Sequence, residues 1–444
     1  MKFKGYRRHL LLSLGTRIAM TVLRLLRNVL LARILGPGER GLFALLSALP
    51  ELIAAITSGG LNTALGFEAA QHRRMGILLV QALFFGCLLA TGATLLGVSG
   101  MVNFGQALDV TQELGQLIWL LLIAVPLVVL KASLLTLHNA SGHVSQYNLM
   151  RLLESLIPLL AFLCLFMLWG DHALLAAISS WLIGLTTSAV IGWCWMKRLQ
   201  PFALEWDKPA NQELLSYSKK SHPGVLFQQL MARADYVLIG LLIGSEQLGY
   251  YAMASAAAEL LSIVPEAVTT PLMKRLLRQE SDMQAITPFA LRMTALTMLL
   301  ACAAMALVGD WLIVTLFGDA YEPAYSALLI LLPGMLFNCY SSILRLDLLG
   351  KGKPGGLSIR AGMGAAASVI LNLILIPTFG IEGAALANSL ASLLVCTLLL
   401  RWYCQLSGTP LHHTLWPRRS DWATLKHLTG SSDNPSDKHS EPTT

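Results

Sequence analysis

The sequence has few charged residues. Only 13% of its 444 residues are Asp, Glu, Lys or Arg, whereas about 25% is usual in soluble globular domains. Hydrophobic residues make up 55% of the chain, and the mean hydropathy is +0.62. This balance excludes a soluble globular class and predicts a polytopic membrane protein. The net charge of +7 does not call for a nucleic-acid partner, because charge bias in the loops is what orients a membrane protein.

The chain also lacks the motifs of an enzyme. It has no metal-ligand spacing, no nucleophile elbow and no phosphate-cradling loop. Membrane glycosyltransferases, polymerases and ligases usually display a large outward loop with catalytic side chains, but the longest predicted outward loop, 100–114, has no Arg, Lys or His. The seven cysteines show no zinc-type or disulfide-type spacing, so we interpret them as packing residues. We therefore expect a transporter with no catalytic residue and no bound metal.

Long apolar runs dominate what is present. A helix crosses a bilayer with about 20 apolar residues, and the sequence predicts an all-α membrane protein with about twelve such spans. They are approximately 10–35, 42–70, 76–100, 115–140, 146–170, 173–197, 216–243, 248–273, 287–317, 323–348, 356–377 and 382–404.

The longest polar connection lies near the middle of the chain and separates two sets of six spans. We expect a first six-helix bundle at 1–197, a cytoplasmic linker at 198–215 and a second six-helix bundle at 216–404. The remaining 405–444 is polar and contains Pro and Ser, which predicts a largely disordered tail.

The basic residues are distributed unevenly between the two sets of loops. Lys and Arg concentrate at the N-terminus, in alternate connections and in the tail, whereas the opposite loops contain a single arginine, Arg40. Because cytoplasmic loops carry the excess of Lys and Arg, both termini are predicted to be cytoplasmic.

The two halves are related by an internal repeat. A shift of 208 residues places Gly36 on Gly244, Gly41 on Gly249 and Glu51 on Glu259. An even number of spans per half makes this a parallel repeat. The implied architecture is two bundles whose first two helices are equivalent.

The first span carries several arginines. At about 100° per residue, Arg17 and Arg24 share one helical face and Arg27 lies on its flank, while the rest of the surface is mostly apolar. Burying one arginine in hydrocarbon costs at least about 2.5–3.5 kcal/mol, so we expect this face to line a hydrated, cationic cavity.

Polar stripes recur in the equivalent helices. Arg233 lies on the polar face of span seven, and we name Arg17, Arg24, Arg27 and Arg233 as the candidate anion-binding set; the alternative is that some of them reach the head groups from the ends of their spans. Spans two and eight carry Glu51, Glu259 and Glu266. These carboxylates could pair with the arginines, or one could bind the H+ or Na+ that drives transport.

Three segments resemble a known family: LARILGPGERGLFALL at 31–46, GGLNTAL at 59–65 and NLILIPTFGIEGAALANSL at 372–390. They resemble the polysaccharide transporters, the Wzx-type oligosaccharide flippases. That family belongs to the MOP superfamily together with the lipid II flippases and the multidrug (MATE) exporters.

The resemblance implies a function in the bacterial inner membrane. It implies alternating-access transport of undecaprenyl-diphosphate-linked oligosaccharide, such as an O-antigen, capsule or exopolysaccharide repeat unit, from the cytoplasmic to the periplasmic leaflet. Membrane lipid, and the polymerase and chain-length machinery of polysaccharide synthesis, are the implied partners, with no cofactor and no nucleic acid. The alternative is a cation-coupled multidrug exporter of the same fold, which should instead present an acidic, aromatic-lined pocket.

Overall fold

The structure is a computed structural model that describes residues 3–58, 60–70, 118–199, 208–263, 283–351, 354–411 and 414, with scattered positions between 77 and 95. The elements within these ranges are helices. In chain order they are α1 (Phe3–Thr57), α2 (Leu61–Ala70), α3 (Ile118–Ala140), α4 (Val144–Trp169), α5 (Ala173–Leu199), α6 (Lys208–Leu242), α7 (Ser245–Glu259), α8 (Met283–Phe317), α9 (Ala324–Gly350) and α10 (Pro354–Ser407).

Two of these helices are too long for one membrane crossing. α1 and α10 contain 55 and 54 residues, which at 1.5 Å per residue is about 80 Å, far more than the roughly 30 Å hydrocarbon core. Each is divided by one glycine with a positive φ, Gly36 (68°) in α1 and Gly380 (58°) in α10. Only glycine adopts this conformation at no steric cost. Each long helix therefore consists of two spans joined at a bend. This agrees with the predicted spans, which end before and begin after each of these glycines.

The all-α membrane fold is confirmed for the described part of the chain. Seven helices there are long and apolar enough to cross a membrane, or eight if the bent pair Ile18–Thr57 and Leu61–Ala69 forms one span. Predicted segments such as 100–114 and the end of span eight lie outside the described residues. The total of twelve spans therefore stays a prediction.

Two predicted boundaries differ from the structure. Span two, expected to be continuous over 42–70, bends by 65° between α1 and α2. At the bend Gly60 has a φ of 78°, and a Cβ atom there would overlap the Ser218 carbonyl of α6. α6 itself begins at Lys208 rather than at 216, so the second part of the predicted linker is helical. The first turn of α6 is polar, so the pattern of apolar runs does not predict that the helix begins there.

Hydrophobic packing is strongest at one end of the molecule. The turns with positive φ at Gly36, Gly170, Gly244, Gly318 and Gly380 all adjoin one large buried cluster, built from α1, α4 to α10 and the short turn at Asp319–Tyr321. We call this the glycine-turn end. Toward the other end the core divides into a cluster of first-half helices with Leu214 of α6 and a cluster of second-half helices.

The repeat is visible in the backbone of the glycine-turn end. Gly36 and its equivalent Gly244 have similar dihedral angles (φ 68°, ψ 175° and φ 95°, ψ 173°). A Cβ atom on Gly41 would overlap the Ser245 carbonyl, and one on Gly249 would overlap the Pro37 carbonyl. Since 37 and 245 are also 208 residues apart, the two contacts are reciprocal. The two halves therefore meet here about an approximate two-fold axis.

Candidate anion-binding cavity

A cavity of about 460 Å³ lies between the two halves beside the shared hydrophobic cluster. Both limbs of α1 contribute to its wall, together with α4, α5, α6 and α7. Five arginines and two glutamates line it, an excess of three positive charges: Arg24, Arg27, Arg40, Arg151 and Arg233 against Glu51 and Glu259.

A side chamber of about 200 Å³ adjoins this cavity; most of its wall comes from the first half, and Arg233 of α6 closes it from the second. Arg24, Arg27, Arg151 and Trp181 line both spaces. The side chamber adds Lys131 of α3 and residues of α4, including Glu154 and Ser155.

Arg24 and Arg27 enter the cavity from the first limb of α1. Arg24 is exposed and makes no hydrogen bond or ion pair with any residue that the structure describes. Arg27 is half-buried, and its Nε has no hydrogen-bond partner in the described part of the chain. Two guanidinium groups therefore line the cavity without forming an ion pair with a described carboxylate.

Arg233 is neutralised across the cavity. Its Nε donates to Oε2 of Glu51 at 2.8 Å, which joins α6 of the second half to α1 of the first. Its guanidinium also lies 5.4 Å from the centre of the Tyr236 ring. The neighbouring Asp235 does not pair with it, because Asp235 is buried and accepts from the Tyr251 hydroxyl at 2.6 Å.

Arg40 lies in a different place from the one the sequence predicts. It was assigned to an outward loop, but it is in the second limb of α1, is only 7% exposed and lines the cavity. Its Nη2 donates to Asn28 at 3.4 Å, and its guanidinium lies 5.4 Å from the Phe43 ring centre. Its Nε has no partner among the described residues. The bend at Gly36 brings Arg40 back toward the arginines of the first limb.

The remaining predicted site residues divide into two groups. Glu51 and Glu259 are repeat equivalents and line the same cavity, and Glu259 is exposed with no partner in the described ranges. Arg17 lies in α1, but the structure does not describe its side chain. Glu266 is not among the described residues. The ligand roles of all seven predicted residues stay predictions. Among the described residues, no cluster of His, Cys, Asp or Glu could hold a metal ion.

A comparison with models of protein families shows which family this chain belongs to. The model of a family described as "Polysaccharide biosynthesis protein" matches residues 30–326. This chain belongs to that family. No curated protein sequence matches it. The resemblance predicted from the sequence motifs is confirmed at the level of the family.

Solved structures with the same fold are membrane transporters of the MOP superfamily. The lipid II flippase MurJ in an inward closed conformation matches with a TM-score of 0.73 at 17% identity, covering 96% of this chain and 94% of MurJ. An inward-facing MATE multidrug transporter matches with a TM-score of 0.63 at 13% identity, covering 88% of this chain and 94% of the transporter. An outward-facing MATE multidrug transporter matches with a TM-score of 0.58 at 14% identity, covering 89% of this chain and 96% of the transporter. The fold of this chain is therefore the one that these transporters have.

Several residues that line the cavity of this family member were not in the predicted site. Lys131 and Glu154 form an ion pair at 2.5 Å and line the side chamber, a position that the sequence does not indicate. Trp181 was not singled out at all. A tryptophan on an apolar helix gives no sequence signal that separates a cavity wall from a lipid-facing surface.

Proposed function

We propose that this protein is a flippase that moves an undecaprenyl-diphosphate-linked oligosaccharide from the cytoplasmic to the periplasmic leaflet of the bacterial inner membrane. The observation that carries the proposal is the pair of cavity arginines, Arg24 and Arg27, neither of which forms an ion pair with a carboxylate in the described chain. Family membership supports a role in polysaccharide synthesis.

Electrostatics explains why such a pair suits this substrate. A charge in a low-dielectric interior is costly unless it is paired, so uncompensated arginines in a cavity favour an anionic ligand. A diphosphate offers several acceptor oxygens to planar guanidinium groups, which can grip phosphate with two parallel hydrogen bonds. Because Arg233 is paired with Glu51, Arg24 and Arg27 are the more available donors.

The packing supports an alternating-access cycle. The halves share their largest hydrophobic cluster at the glycine-turn end, which the distribution of Lys and Arg predicts to be periplasmic. In that orientation the described conformation is closed toward the periplasm. Transport then requires the glycine-turn end to separate while the opposite end closes.

The two cavity carboxylates have different proposed roles. Glu51 balances Arg233 when no substrate is bound. Glu259, which has no described partner, is the better candidate to bind a driving H+ or Na+. The polymerase and the chain-length machinery would receive the product in the periplasmic leaflet. A cation-coupled drug exporter is disfavoured, because a cavity with three excess positive charges repels cationic drugs.

The test is substitution of Arg24 in the full-length protein, expressed in a flippase-null strain. Arg24→Ala should leave lipid-linked repeat units on the cytoplasmic leaflet. Arg24→Lys should keep part of the activity, because lysine retains the positive charge. It should not restore full activity, because lysine lacks the planar guanidinium group that binds phosphate through two hydrogen bonds. Arg401→Ala is the matched control, since Arg401 is exposed near the end of α10 and does not line the cavity. Full complementation by Arg24→Ala at normal protein level would refute the proposal.

A further inference from the structure

The side chamber has the same excess of three positive charges as the main cavity but adds an ion pair that the main cavity lacks. Lys131 of α3 and Glu154 of α4 form this pair at 2.5 Å. Beside them lie the Ser155 side chain and the indole ring of Trp181. An aromatic face next to a paired donor and acceptor, with arginines in the same wall, suits a polar ring that has an apolar face and is joined to an anionic group.

Trp181 differs from the other aromatic residues of the two spaces. A guanidinium lies over the ring of Phe43 and another over the ring of Tyr236, each 5.4 Å from the ring centre. Within the described chain no cation or second ring lies over Trp181, and its indole N–H has no hydrogen-bond partner. Indole N–H groups normally find a partner when they are enclosed by protein. Both the ring face and the N–H are therefore free to contact a ligand.

The chamber has a rigid base. A Cβ atom on Gly184 of α5 would overlap the ring of Pro158 in α4, and both residues line the chamber. This close approach holds α4 and α5 together three residues beyond Trp181, so the indole of α5 and Glu154 of α4 lie on two closely packed helices. The volume of about 200 Å³ is below the roughly 300–1,000 Å³ of a drug-sized site, which suits one ring rather than an oligosaccharide.

We propose that the side chamber is a sugar-binding subsite in which one pyranose ring stacks on Trp181 while its hydroxyl groups bind Glu154 and Lys131. Sugar rings carry an apolar C–H face, and the negative face of an aromatic ring attracts such partly positive hydrogens. The carboxylate accepts and the ammonium donates hydrogen bonds. Because Arg24 and Arg27 line both spaces, the bound sugar is the one joined directly to the diphosphate. This inference rests on the proposed function.

The experiment compares ligands with and without a sugar. The purified full-length protein in lipid nanodiscs is titrated with undecaprenyl diphosphate and with undecaprenyl diphosphate carrying one glucose, galactose or N-acetylglucosamine. At least one sugar-bearing ligand should bind more tightly than undecaprenyl diphosphate. Trp181→Leu, which keeps an apolar side chain against the core, should weaken that ligand about tenfold, the order expected for one lost aromatic contact, and leave undecaprenyl diphosphate unchanged.

Two further variants make the outcome specific. Trp181→Phe keeps an aromatic face but loses the N–H donor, so it should lie between wild type and Trp181→Leu. Trp311→Leu is the matched control, because Trp311 is 65% exposed on α8 and lines neither space. It should bind every ligand as wild type does.

Failure of this inference is distinguishable from failure of the proposed function. If undecaprenyl diphosphate binds in an Arg24-dependent manner but no sugar adds affinity, or if Trp181→Leu weakens all ligands equally, the sugar subsite is refuted and the flippase proposal stands. If undecaprenyl diphosphate does not bind, or binds equally well to Arg24→Ala, the proposed function fails first.

Discussion

Nε of Arg233 lies 2.8 Å from Oε2 of Glu51, so one ion pair connects the second half of the molecule to the first across the cavity. The sequence equivalent of Glu51 is Glu259, which lines the same cavity without a described partner. The repeat therefore supplies two carboxylates to one cavity, and of these Glu51 forms an ion pair whereas Glu259 forms none with a described residue.

The Arg233–Glu51 pair should contribute little to stability. The two side chains are 31% and 35% exposed, and solvent-screened pairs are worth about 0–1 kcal/mol. We expect Glu51→Gln and Arg233→Gln each to lower the thermal midpoint of the purified protein slightly, and the double variant to be less destabilised than the sum of the two. Circular dichroism melting of all four proteins measures this coupling. Strict additivity would show that the pair does not contribute.

Arg40 should oppose stability and support transport. It is 7% exposed with an unpartnered Nε, and replacing buried charges by apolar side chains of similar volume often stabilises proteins by about 1–4 kcal/mol. We expect Arg40→Met to raise the melting temperature of the ligand-free protein while reducing transport. Arg40→Lys keeps the charge and should give no gain in melting temperature. A less stable Arg40→Met would indicate that the hydrogen bond to Asn28 and the Phe43 contact outweigh the cost of burial.

The reciprocal glycine contacts should make two distant substitutions equivalent. Gly41→Ala and Gly249→Ala each insert a methyl group against a backbone carbonyl of the other half, and overpacking of this kind costs about 1–3 kcal/mol. Both should destabilise the described conformation to a similar extent. Gly38→Ala is the control, because no atom lies within 4 Å of its Cβ position, and it should be neutral or slightly stabilising. Melting temperatures of the three variants test this, and an unchanged midpoint for Gly41→Ala would contradict it.

The predicted orientation can be tested at residues that the structure describes. In a background without native cysteines, Asp171→Cys and Glu322→Cys, both exposed at the glycine-turn end, should react with a membrane-impermeant maleimide in intact cells. Lys220→Cys is exposed toward the opposite end of α6 and should react only after permeabilisation. The reverse pattern would invert the topology and with it the proposed direction of closure.

The sequence by itself determined the class of the molecule and much of its organisation. Low charge and long apolar runs require helices, since lipid leaves backbone groups no other partners. The shift of 208 residues identifies Gly36 and Gly244 as equivalent turns from the sequence alone. Helical periodicity also placed Arg24 and Arg27 on or beside one polar face of α1, because the period of 3.6 residues depends only on the local backbone.

Only the tertiary structure decided which of these faces meet. Periodicity gives the direction of a side chain around its own helix but not the neighbour that it reaches, because that depends on the packing of helices far apart in the chain. The pairing of Arg233 with Glu51, the inward position of Arg40 beyond the Gly36 bend, and the placement of Trp181 beside the Lys131–Glu154 pair all depend on such packing. Each joins residues of different helices, or of two limbs separated by a bend, and no local pattern in the sequence encodes those distances.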